Sequence, residues 1–79
     1  ESRGCYIQVG KYRDIENAFN MMRALKKYYL TPSIRQASHG GTTVMHSVRL
    51  GPFQSSQELE AVGKLLNSKG FKDYWVFYR

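Results

Sequence analysis

Hydrophobic and polar residues alternate in "CYIQV" at residues 5–9, with Cys5, Ile7 and Val9 on one side and Tyr6 and Gln8 on the other. A period of two predicts a half-buried strand. From Asp14 onward the period lengthens. Ile15, Ala18, Met22 and Leu25 recur at helical spacing and form one stripe. Asp14 is placed to cap the start of that helix, and Lys26 and Lys27 sit near its end, where positive charge suits the helix dipole. Pro32 forbids continuation, so "TPSIRQ" predicts a second strand, which the proline pushes to a sheet edge. "ASHGGTT" predicts the turn that follows.

A third alternation, "VMHSVRL", sets Val44, His46, Val48 and Leu50 against Met45, Ser47 and Arg49. Ser55 and Glu58 then form a capping box for a second helix whose inward face is Leu59, Val62 and Leu66. Gly70 fits the left-handed position just past its end. "DYWVFYR" predicts a last strand with two alternating sets, Tyr74, Val76 and Tyr78 against Trp75, Phe77 and Arg79. Val76 is expected to pack inward with Tyr74, which exposes Trp75 and Phe77.

The pattern is written twice. With Gly10 set on Gly51, an offset of 41 residues, Ile7 meets Val48, Val9 meets Leu50, Tyr12 meets Phe53, Ala18 meets Leu59 and Leu25 meets Leu66. The same alignment sets Trp75 on Ile34, a core candidate, and so argues for the opposite facing of the last strand. Two copies are too few for a solenoid and suit two βαβ-like halves of one domain. The order βαββαβ predicts an α+β two-layer sandwich, a four-stranded antiparallel sheet with two helices on one face, ferredoxin- or RNP-like. Right-handed crossovers put both helices on the same side. The other side is then left without a helix, and it carries Tyr6, Gln8, Met45, Ser47, Arg49, Trp75 and Phe77.

Length and charge narrow what that face can do. At 79 residues the chain is expected to be a single domain over residues 1–79, with its core at about 5–78. No stretch approaches the roughly 20 apolar residues of a membrane span, so this segment is expected to make no membrane contact, and any anchor or export signal is expected upstream. Twelve Lys and Arg against six Asp and Glu leave a formal charge of +6, which favours an anionic partner. Aromatic residues make up 14 % of the chain, enough to offer flat apolar platforms beside those charges. Cys5 is the single cysteine and reads as a small buried hydrophobe, so no internal disulfide forms. His39 and His46 have no Cys or carboxylate at ligand spacing, and the acidic residues Asp14, Glu16, Glu58 and Glu60 fall where helix starts explain them. No metal, cofactor or catalytic residue is expected, and the chain reads as a non-enzyme.

An RNA-recognition motif shares the element order, but its aromatic third-strand signature is missing from "VMHSVRLG". Single-stranded nucleic-acid binding is therefore the alternative, with protein interaction a third reading, and no nucleic-acid partner is expected. "YIQVGKYRDIENA" and "SVRLGPFQSSQELEAVGKLLNSKGF" closely resemble the two halves of a SPOR (sporulation-related repeat) domain. The resemblance runs over residues 5 to 78 and rests on Gln8, Val9, Gly10, Val48, Arg49, Gly51, Pro52, Phe53, Gly70 and Phe71. It implies a bacterial envelope module, periplasmic or otherwise extracytoplasmic. Such a module binds peptidoglycan strands lacking stem peptides and gathers at the division septum or remodelled cell wall. The glycan would lie across the sheet against Tyr6, Gln8, Lys11, Ser47, Arg49, Trp75 and Phe77. Lys11 stands where the family has serine.

Overall fold

A computed structural model describes residues 3–79, the side chain of His39 excepted. The elements run β1 (Cys5–Tyr12), α1 (Ile15–Lys26), β2 (Ser33–His39), β3 (Thr43–Phe53), α2 (Ser56–Ser68) and β4 (Trp75–Tyr78). The sheet order is β2-β3-β1-β4 and every pairing is antiparallel. The two copies of the repeat therefore lie side by side at the sheet centre as β1 and β3, and each half sends its other strand to an edge.

Both helices cover one face. Ile7, Val9, Val48 and Leu50 meet Ala18, Leu25 and Leu66 there in a single buried cluster, with Met21, Met22, Ile34, Leu59 and Val62 packed around it. Burying each large aliphatic side chain is worth roughly 1.5–3 kcal/mol, and this cluster is the main source of stability. Cys5 belongs to the cluster as a buried thiol.

The helix ends follow local chemistry. The Asp14 carboxylate accepts the Glu16 amide at 2.9 Å, and the Ser55 hydroxyl accepts the Glu58 amide at 3.1 Å. Past α2, Gly70 takes φ +88°, while the Phe71 and Gly70 amides donate to Leu66 and Asn67 carbonyls at 2.9 and 3.2 Å. That pair of bonds is a Schellman motif, and it returns Phe71 to the core. Glu60 lies beyond the first turn of α2, where it pairs with Lys64 at 3.5 Å instead of supporting the dipole.

Strand lengths differ from expectation. Ala37, Ser38 and His39, expected in a turn, pair with Met45, Val44 and Thr43, so β2 and β3 form a longer ribbon closed at residues 40–42. The last strand is shorter, beginning at Trp75. Val76 is on the helix side, opposite Ile7, but stays 41 % exposed because β4 is a four-residue edge and α2 lies mainly against β3.

Two irregularities interrupt the β1–β3 ladder. Gly51 and Pro52 together oppose Tyr6, and Gly51 takes φ +128° with the Tyr6 ring so close that a Cβ would stand 2.9 Å from it. Only glycine meets both demands. The other is a bulge at Val9. Gln8 pairs with Arg49, yet Gly10 pairs with Val48 and Lys11 with Ser47, so Val9 is an extra residue. A bulge reverses the facing of whatever follows it. Strict alternation would send Lys11 to the side of Ile7 and Val9. The bulge brings it to the side of Ser47 and Arg49. Tyr12 then turns to the helix side, where burial raises its phenol pKa above the ordinary value.

Candidate functional site

The helix-free face is read directly from the register. One row crosses all four strands as Ser33, Arg49, Gln8 and Trp75. The next row on one side is Arg35, Ser47 and Lys11, and on the other side Tyr6 stands opposite Phe77. All seven sequence-predicted residues, Tyr6, Gln8, Lys11, Ser47, Arg49, Trp75 and Phe77, therefore share one face. Trp75 pairs with Gln8 and points away from the helices, whereas Ile34 pairs with Val48 and packs on the core. The repeat alignment misleads at this position because the two edge strands are offset against their central partners by different amounts.

The face is not bare, which departs from the expected open display of rings. Tyr6, Gln8 and Ser47 are only 4, 5 and 5 % exposed. Tyr6 and Gln8 are covered in part by their own neighbours. The Tyr6 and Phe77 rings stack at 5.4 Å and 13°. The Arg49 guanidinium lies over Phe77 at 4.6 Å from the ring centre, and that of Arg79 at 5.9 Å. Arg49 Nε also donates to Gln8 Oε1 at 3.3 Å. Arg49 is thus gripped by an amide on one side and an aromatic face on the other, an orientation worth about 0.5–1 kcal/mol for the cation–π part at such a surface. Trp75 remains 52 % exposed, and Lys11 and Arg35 are exposed.

Charge is sorted as well. Among the described residues none of the four strands contains Asp or Glu, while Lys11, Arg35 and Arg49 all face this side. Asp14, Glu16, Glu58 and Glu60 belong to the helices and their caps. A flat indole beside a cluster of cations, on strands that contain no carboxylate among the described residues, suits an extended anionic ligand that has an apolar face.

Comparison with known proteins agrees in kind. The SPOR domain family model matches residues 1–77. The chain belongs to the SPOR domain family. SPOR domains are peptidoglycan-binding modules that work outside the cytoplasm on the cell wall. A solved structure, the RlpA SPOR domain from Pseudomonas aeruginosa, superimposes with a TM-score of 0.83 at 21 % identity, covering 94 % of this chain and 97 % of the other. That likeness establishes the shared α+β architecture of a SPOR domain. No curated protein sequence matches the chain significantly.

Two cations of this SPOR face were absent from the predicted site. Arg35 alternates with the core residue Ile34, so its facing follows once β2 is seated on β3. Arg79 continues the Trp75, Phe77 set, and its backbone pairs with Gly4 through bonds of 2.9 and 3.3 Å. Away from this face, His46 is buried on the helix side with Nδ1 lacking a partner among the described residues. The side chain of His39 lies outside the described residues. Among the described residues no three His, Cys, Asp or Glu side chains gather as metal ligands. Among the described residues no helix is long and apolar enough to cross a membrane.

Proposed function

We propose that this SPOR domain binds, without catalysis, glycan strands whose stem peptides have been removed, and so carries its parent protein to the division septum or to remodelled wall. The observation that supports this reading is the row Arg49–Gln8–Trp75, in which an oriented guanidinium stands beside a half-exposed indole on the side away from the helices. Cleaving the stem peptide from muramic acid frees a lactyl carboxylate on every second sugar. Arg49 can meet that anion with its planar fork, whereas a peptide-bearing strand lacks the acid and brings bulk onto the sheet. The C–H face of a sugar rests on Trp75, worth about 1 kcal/mol.

The contact residues are Lys11, Arg49 and Trp75. Tyr6, Gln8, Ser47 and Phe77 hold them in place, since three of these four are almost wholly buried. Charge-assisted bonds are worth about 1.5–3 kcal/mol where water is excluded and less on an open face. Affinity in the micromolar range, weakened by salt, is expected. The same cations and indole would also suit phosphates and bases, which is what keeps single-stranded nucleic acid as the alternative.

Co-sedimentation of the chain with amidase-stripped sacculi tests the proposal. Wild type pellets with stripped sacculi, while Arg49→Ala and Trp75→Ala stay folded and lose most of that retention. Equal retention of both variants and wild type would refute the assigned face. Retention on single-stranded oligonucleotides in preference to sacculi would favour the alternative.

A further inference from the structure

We propose that this face holds a second acid-recognising seat, the row Arg35–Ser47–Lys11, so that an acidic glycan is gripped at two of its carboxylates at once. The inference rests on the glycan-binding reading above and adds Arg35 to it as a residue that sets specificity for chain length. The register carries the argument. Arg35 on β2 and Lys11 on β1 both pair with Ser47 on β3, so their Cα atoms stand about 10 Å apart across one short side chain. Two long exposed cations therefore flank a buried serine on the helix-free side. Lys11 reaches this row only through the bulge at Val9, a device that often re-aims a side chain toward a ligand.

The second seat is separate from the first. Arg49 starts one row away from Ser47, but its guanidinium lies over Phe77, which stands opposite Tyr6 in the row on the far side. Arg49 therefore leans away from Lys11 and Arg35. The Tyr6 and Ser47 rows are two register steps apart, on the order of 13 Å along the strands. One carboxylate cannot be held at both ends of that span. Acids borne on alternate sugars of one chain can, and the exposed edge of Trp75 lies in the row between the seats. Two linked contacts raise affinity through effective concentration without any new kind of bond.

Glycan from amidase-stripped sacculi, cut and fractionated into single disaccharides and into chains of three or more, tests this. Titration is followed by the fluorescence of Trp75, the sole tryptophan. Wild type binds the longer chains at least about tenfold more tightly. The variant Arg35→Gln binds them roughly three- to tenfold less tightly, the range of one exposed charge contact, yet binds single disaccharides as wild type does. Methyl esterification of the long chains abolishes the difference between wild type and variant. A variant that keeps the full preference for long chains overturns the second seat and leaves the first intact. Equal loss on both ligand lengths overturns it too, because a general loss of charge would then suffice. Failure of wild type to bind either fraction removes the reading beneath it as well.

Discussion

On the helix side of the sheet Ile7, Val48 and Leu50 lie at the centre beneath Ala18, Leu25 and Leu66; on the other side Tyr6 and Gln8 lie at the centre beneath Phe77 and Arg49. Both centres are buried, but by different means. The first is sealed by whole helices brought back over the sheet. The second is sealed by single side chains from the strands themselves, one ring deep. A helix-covered face spends its apolar surface on stability and offers nothing outward. A face roofed by a ring and two guanidiniums is stabilised by the same layer that meets a ligand, so fold and binding are coupled there.

The difference can be probed in order of size. Ile7→Ala or Leu50→Ala empties the helix side and is expected to cost about 2–5 kcal/mol. That is a large share of the roughly 4–12 kcal/mol typical for a domain of this length, and urea melts would show it as a strongly lowered midpoint. Gly51→Ala should come next, at roughly 1–3 kcal/mol, because the left-handed φ and the Tyr6 ring both resist a Cβ. Phe77→Leu keeps apolar bulk but removes the stack and the surface beneath Arg49. It should cost about 1–2 kcal/mol and lower glycan retention, while Phe77→Trp restores retention. Trp75→Ala should be the smallest in stability, within about 0.5 kcal/mol, and yet large in binding. If Phe77→Leu and Trp75→Ala affected stability and retention alike, the contrast between the faces would fail.

Much of this was legible in the residues. Helix stripes, both caps and the Gly70 exit rest on near-neighbour chemistry, and each appears as expected. The sorting of Tyr6 and Gln8 from Ile7 and Val9 follows from alternation alone. What alternation could not show is the bulge. Nothing in "QVGKY" announces that Val9 is unpaired, because an extra residue is defined only against the partner strand. The facing of Lys11 was therefore unreadable from period, although the family resemblance had singled that position out. The roof over Tyr6 was hidden for a related reason: it is assembled from β1, β3 and β4, far apart in the chain. Arg35 was passed over because the sequence marks β2 only as an edge, without its neighbour.

Mapping backbone amide shifts by NMR while adding stripped glycan tests the central claim most directly. Saturable shifts at Gln8, Lys11, Arg35, Arg49 and Trp75, with α1 and α2 unmoved, are the predicted result. Shifts centred on α1 or α2 with the strand amides unchanged would contradict it.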